Sequence, residues 1–113
     1  MNKMTNALRQ IKKRSDEVLK EKKAQLPSDE YKSFEKGVDI HEEISRMFHH
    51  IQEMKMLLKS DVAVGKKIDF VAQEMQRETN TMGSKLQDKI VTSHVIALKS
   101  KIEKIREQAQ NIE

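Results

Sequence analysis

The sequence predicts an all-α fold: four long helices in an antiparallel hairpin or bundle-like arrangement, with coiled-coil-like repeats. Three observations predict it. Apolar residues recur at alternating four- and three-residue spacings through most of the chain, the period of one helix face. One proline and three glycines in 113 residues are too few for the many turns of a sandwich or barrel. Apolar residues at 36% and charged residues at 35% form the balance of amphipathic helices, where each helix divides between core and water.

The first helix is expected over residues 3–26, with Met4, Leu8, Ile11, Ser15 and Val18 on one stripe. Pro27 ends it, because proline disfavours helix in the residue before it. Ser28 is the expected N-cap of a second helix over 28–59, with acids following in the first turn. Ile40, Ile44, Met47, Ile51, Met54 and Leu58 form its stripe, widened by Phe48 and Leu57, and Gly37 is the expected kink or break. Ser60 to Gly65 reads as a connection. A third helix over 66–82 carries Ile68, Val71, Ala72, Met75 and Met82, and Gly83 suits a left-handed cap. A fourth over 88–112 carries Val91, Val95, Leu98, Ile102, Ile105, Ala109 and Ile112, a seven-residue repeat that fits a coiled-coil seam or an antiparallel hairpin.

The length sets a single domain, residues 1–113, comprising a basic N-terminal helix and connection over 1–37 and a second helical region over 38–113. With 4% aromatics and no tryptophan, a thin core is expected. The helices should then pack on something larger, a missing domain or sister subunits, with the repeats of helices two and four as the self-association seams. The absence of cysteine excludes a disulfide framework and a Cys-ligated zinc site. No apolar run approaches the roughly 20 residues of a membrane span, and the N-terminus has no apolar stretch of signal type, so a cytoplasmic protein without membrane attachment is expected. Charge is uneven: residues 1–23 hold eight basic residues against three acids, 8 − 3 = +5, within a total of +4. Such an arm either meets phosphate or forms a solvated helix face.

The third helix carries a recognisable pattern. Val64, Gly65, Asp69, Phe70, Gln73, Glu74, Arg77, Glu78, Asn80, Thr81, Ser84 and Lys85 lie in the stretch VGKKIDFVAQEMQRETNTMGSK. Upstream stand Asp39, Glu42, Glu43, Arg46 and His50, and the chain ends with Arg106-Glu107-Gln108 and Gln110-Asn111-Ile112-Glu113. Over residues 38–113 the sequence resembles the helical end of the YicC/YloC family of bacterial endoribonucleases. The resemblance implies metal-dependent endonucleolytic cleavage of RNA by an oligomeric assembly whose members also carry a strand-rich N-terminal domain. This chain is then expected to be such an enzyme or its C-terminal helical part, with RNA as partner and a homo-oligomer or a strand-rich domain beside it. The alternative is a non-catalytic oligomerisation or RNA-binding fragment left after loss of that domain.

Site residues follow from chemistry and resemblance together. Magnesium or manganese takes oxygen ligands. Glu74 and Glu78 are four apart, so both project from one side of a helix at the edge of its apolar stripe. They are the expected metal ligands and catalytic acids. The competing reading is a wet ion pair from Glu74 to Arg77. His50 shares a stripe with Glu43 and Arg46 and is the candidate proton shuttle, against the bland alternative of a packing residue. Arg46, Arg77, Asn80 and Lys85 are the expected RNA phosphate contacts. Glu43, Asp69, Phe70, Gln73, Thr81 and Ser84 support the family pattern without an assigned role. His41 and His49 read as background, and the seven methionines as gap-fillers. No glycine-rich phosphate loop, HExxH or Gly-x-Ser-x-Gly motif is present, so no nucleotide cofactor is expected, and one Tyr with three Phe offers no aromatic platform for stacking bases.

Overall fold

A computed structural model describes residues 2–60 and 64–112, the side chains of 111 and 112 apart. It contains α1 (Asn2–Gln25), α2 (Ser28–Val38), α3 (His41–Leu58), α4 (Gly65–Lys85) and α5 (Lys89–Ile112). The all-α class holds, with no strand among the described residues. The four long helices, α1, α3, α4 and α5, close into a bundle in which α4 packs against α3 and α5, and α1 packs against both of those. The bundle measures 55 × 20 × 19 Å.

The second expected helix is two helices. Asp39 is extended (φ −71°, ψ 118°), and its Oδ1 accepts the backbone N–H of His41 at 3.0 Å. That side-chain bond competes with helix continuation. Ile40, just after the break, is fully buried. Gly37, the expected breaker, lies inside α2 with open space where a Cβ would sit. Ser28 is the first residue of α2 rather than its cap; Pro27 occupies the N-cap position, with no side-chain cap bond.

Gly83 likewise departs from expectation. The helix runs through it to Lys85, and no described glycine has positive φ. A Cβ on Gly83 would meet Val95 Cγ1 at 3.4 Å, so this glycine marks close approach of α4 to α5. The cap that ends the turn belongs to Asp88, whose Oδ2 accepts the N–H groups of Ile90 and Val91. Asp88 also takes the Arg14 guanidinium at 3.0 Å, tying the middle of α1 to the start of α5. That pairing holds the Asp88 carboxyl below its usual range.

The core is fuller than composition suggested. The stripes of α1, α3, α4 and α5 converge on one cluster, with Leu8, Ile11, Ile40, Met47, Ile51, Met75, Leu98 and Ile102 essentially sealed from solvent. Five of the seven methionines are fully buried: Met4, Met47, Met54, Met75 and Met82. Their unbranched side chains fill the space that aromatics would occupy elsewhere. Ser15 is buried in line with the α1 stripe, whereas Leu58 is exposed. The repeats expected to mediate self-association are buried inside this one chain: the α5 residues from Val91 to Ala109 face α1 and α4. The side chain of Ile112 and the connection at Asp61–Ala63 lie outside what is described.

His41, read as background, bridges two acids. Its Nδ1 lies 2.5 Å from Asp39 Oδ1 and its Nε2 lies 3.4 Å from Asp16 Oδ1 on α1. Hydrogen bonding to Asp39 raises the imidazole above its ordinary value, with Asp16 adding to the shift. A raised folded value means that His41 contributes fully below the unfolded value of about 6.5 and that the contribution is lost as pH rises through the folded value. The melting-temperature deficit of His41→Ala should be largest near about pH 5 and absent by about pH 9; a deficit constant with pH would contradict the bridge. Gly83→Ala removes an internal helical glycine into ordinary contact distance and should raise stability by about 0.5–1 kcal/mol in denaturant melts. A loss instead would restore the left-handed cap.

Candidate functional site

The α3–α4 seam holds the charged residues that the sequence singled out. Glu43 and Glu78 flank the apolar stripes of their helices, beside Ile44 and Met47 on one and Met75, Thr79 and Met82 on the other. Packing carries both carboxylates under cover, Glu43 to 3% exposure and Glu78 to 7%. A buried carboxylate is stable only with a partner. Arg46 is that partner for both, donating from Nε to Glu78 Oε1 at 2.8 Å and from Nη2 to Glu43 Oε2 at 3.4 Å. Its Nη1 reaches the exposed Glu42 at 3.5 Å. Lys85, from the last turn of α4, donates to Glu43 Oε2 at 3.0 Å. The hydrogen bond to Glu78 is the largest cause of the raised Arg46 value.

Two buried acids therefore lie under two half-exposed cations, and the charges of Glu43, Glu78, Arg46 and Lys85 sum to zero. One oxygen is left over: Glu43 Oε1 is buried without a hydrogen-bond partner. Thr79 closes the seam from inside, its hydroxyl donating to the Met75 carbonyl at 2.8 Å and lying 3.8 Å from Met47 Sδ.

Glu74 and Glu78 do share one side of α4, but their environments differ. Glu78 is covered and held by Arg46, while the Glu74 side chain is 27% exposed and has the exposed Arg77 at 3.9 Å. The wet Glu74–Arg77 pair is thus present, at the outer limit of ion-pair distance. Asn80 is exposed on the next turn. His50 is half-buried; its Nδ1 has no hydrogen bond and lies 3.7 Å from Glu53 Oε1. It makes no ion pair with Glu74 or Glu78. Among the described residues no three His, Asp or Glu side chains converge as a metal-binding group. A cation placed on Glu78 would have to displace the Arg46 guanidinium. Among the described residues, the donors of one copy therefore do not by themselves fit a divalent metal centre.

The pattern residues without an assigned role are mostly scaffold. Asp69 accepts from Arg106 Nε at 2.9 Å and from Gln73 Nε2 at 2.8 Å, fastening α4 to α5. Arg106 holds the Asp69 carboxyl below its usual range. Thr81 donates to the Arg77 carbonyl at 3.0 Å, and Ser84 is exposed. Phe70 is exposed. Sequence reasoning missed the weight of Glu43 and the ion pair that Lys85 makes with it. The available signal was the i, i+3 spacing of Glu43 and Arg46 beside an apolar stripe, which places a carboxylate at the core edge with a guanidinium one turn on. Lys85→Met should cost about 2 kcal/mol, because it strands the covered Glu43 carboxylate with one long bond. The double variant Glu43→Gln/Lys85→Met should recover part of that loss, and additive losses in thermal melts would show that the two groups do not interact.

Comparison with known proteins places this seam in context. The family described as "Endoribonuclease YicC-like, C-terminal" matches residues 1–113, which extends the likeness beyond the 38–113 stretch to include α1 and α2. The chain is 54% identical over 74 residues to "Probable endoribonuclease YicC" of Clostridioides difficile (strain 630), covering 66% of this chain and 25% of that one. It is 43% identical over 76 residues to the protein of the same name from Haemophilus influenzae (strain ATCC 51907 / DSM 11121 / KW20 / Rd), covering 67% of this chain and 26% of that one. The chain thus spans about a quarter of the length of these relatives, and it belongs to the YicC-like endoribonuclease C-terminal family.

Proposed function

We propose that this chain forms the C-terminal helical part of a YicC-type endoribonuclease that cleaves RNA with a divalent metal, and that the α3–α4 seam is its working face. The observation that carries the proposal is the seam itself: two acids held under cover by two cations that keep an open side. Arg46 and Lys85 are oriented by their carboxylate partners and retain N–H donors for RNA phosphate. Arg77 and Asn80 extend this face along α4 as further phosphate contacts. His50, with an unpartnered ring nitrogen, is the proton-transfer group. Glu74 and Glu78 are the acids.

Glu78 is committed to Arg46, so Glu74 is the carboxylate that α4 can add to a magnesium or manganese ion. The remaining ligands then come from beyond the described residues of one copy, and a sister copy of the chain supplies them. A metal that keeps several waters and few protein carboxylates is ordinary for magnesium on phosphate substrates.

The second reading is a non-catalytic helical module for RNA binding or oligomerisation. It is favoured by the same neutral seam, in which each buried acid already has a structural partner. Incubation of the protein with structured RNA and manganese distinguishes the two. The first reading expects cleavage that falls by about 100-fold or more in Glu74→Ala and in His50→Gln, with melting temperatures near the parent's. Cleavage that survives in Glu74→Ala/Glu78→Ala would reject these site residues. RNA retention with no cleavage by the parent would favour the second reading.

A further inference from the structure

Helix α1 sorts its charges. Arg14 draws two of the three acids of α1 to itself, Glu17 at 3.3 Å and Glu21 at 3.9 Å, and holds Asp88 at the start of α5 at 3.0 Å. The third acid, Asp16, faces His41 at 3.4 Å. Lys22 lies over the Phe34 ring of α2, 5.7 Å from its centroid. Of the eight basic residues, 8 − 2 = 6 remain: Lys3, Arg9, Lys12, Lys13, Lys20 and Lys23. All six are exposed, and none is in an ion pair with a described residue. At 3.6 residues per turn, Arg9, Lys12, Lys13, Lys20 and Lys23 share about 100° of arc and span about 21 Å along the axis, with Lys3 outside it. Asp16 is the one acid of α1 in that arc, so α1 gives this face 5 − 1 = +4. Asp29 and Glu30 of α2 are exposed and reach none of the five within ion-pair distance.

We propose that this outer face of α1 is a track for the phosphate backbone of RNA, lying beside the α3–α4 seam and feeding it. This rests on the RNA-directed reading above and adds a surface that neither the seam nor the family match assigns. The make-up of the face selects the occupant. No large apolar residue of α1 is exposed. A protein partner would need apolar or aromatic anchors at the centre of the contact, and this face offers none. A helix lying on lipid immerses its apolar side, whereas that of α1 is sealed in the core against α3 and α5. A small anion needs cations that converge, and these are strung along the helix. An extended polyanion with regularly repeated charges fits. Arg14 helps by keeping Glu17 and Glu21 on the flank away from Lys12 and Lys23, where they would otherwise repel a phosphate. The track also leads to the seam. Asp16, in the same arc, meets His41, the first residue of α3, and His41 bonds Asp39, whose carboxyl Lys85 also helps to lower. RNA lying along α1 therefore arrives at the end of the seam where Lys85 and Arg46 hold Glu43 and keep their open side.

The test uses the 113-residue chain and a fluorescein-labelled RNA hairpin without metal, read by anisotropy over a series of salt concentrations, beside thermal melts and light-scattering mass. Arg9→Gln/Lys13→Gln/Lys20→Gln should weaken binding by about tenfold or more and reduce the slope of log affinity against log salt by about 2 to 3, with the melting temperature unchanged. Lys13→Arg/Lys20→Arg should bind as the parent does. Lys89→Gln/Lys99→Gln/Lys104→Gln removes the same charge from exposed positions of α5 and should cost about threefold at most. A measurement on the parent needs no substitution: bound RNA should protect Lys12, Lys13, Lys20 and Lys23 from acetylation by an N-hydroxysuccinimide ester and leave Lys99 and Lys104 reactive. Equal losses from the α1 and α5 sets would reduce the effect to net charge and overturn the proposal. So would α1 lysines that stay reactive in the RNA complex, or a parent that binds no RNA. Phosphatidylserine vesicles that lose affinity for the α1 variant while RNA does not would assign the face to a membrane, and a changed oligomer mass at fixed RNA affinity would assign it to contact between copies. The cleavage assay above stays independent, because it scores Glu74 and His50 variants with metal present: a parent that binds RNA along α1 without cleaving it leaves the track standing and removes the catalytic reading.

Discussion

The Arg46–Glu78 hydrogen bond is the constraint on which the α3–α4 seam depends. α4 packs on both α3 and α5. A carboxylate on such a helix becomes covered as the bundle closes, and its ionised form then needs a cation within bonding distance. Arg46 meets that need from the neighbouring helix at 2.8 Å, and by turning toward Glu78 it also reaches Glu43. Lys85 completes the set from the far end of α4. The apolar stripes bring α3 and α4 together without much preference for depth or register. The charged set adds that preference, since a one-turn slip would separate Arg46 from Glu78 and Lys85 from Glu43 at once.

Much of the fold was legible in the residues, and the failures are specific. The stripes of α1, α4 and α5 appear in the core nearly residue for residue, Ser15 included, because a four-and-three spacing leaves little choice of buried face. Gly37 is the breaker that the residues suggest, whereas Asp39 is where the helix ends. A side chain that bonds the backbone two residues on ends a helix more firmly than a missing Cβ weakens one. Gly83 was read as a cap because glycine serves two needs, positive φ and close approach, and only the position of Val95 tells them apart. The repeat of α5 was real, but a heptad pattern does not say whether its partner is the same chain. Here the partners are α1 and α4.

The candidate site was legible as a set of residues and not as an arrangement. Spacing put Glu74 and Glu78 on one side of α4. The rotation between them is enough to cover one and leave the other partly in water, and no helical wheel of α4 alone shows Arg46 arriving from α3. The result is a division of labour between two acids that looked equivalent: Glu78 holds the seam, and Glu74 remains accessible. The same holds for Asp69, which the pattern marks as strongly as Glu74 and which fastens α4 to α5 through Arg106, with Gln73 donating to it from the next turn of α4. A family pattern in a helix that faces two neighbours mixes scaffold with chemistry, and the mixture separates only in three dimensions. Membership in the YicC-like C-terminal family fits this picture of a helical part whose acids and cations share one open face.

The most direct measurement of this account is the exchange of the Arg46 Nε–H proton, followed by nitrogen-edited NMR. An Nε–H bonded to a covered carboxylate should exchange slowly and resonate apart from that of the exposed Arg77, and Glu78→Gln should speed its exchange while leaving the Arg106 signal, bonded to Asp69, in place. An Arg46 Nε–H that exchanges as fast as that of Arg77 in the parent protein would mean that Glu78 is not held from α3, and the seam would lose the interaction that sets its geometry.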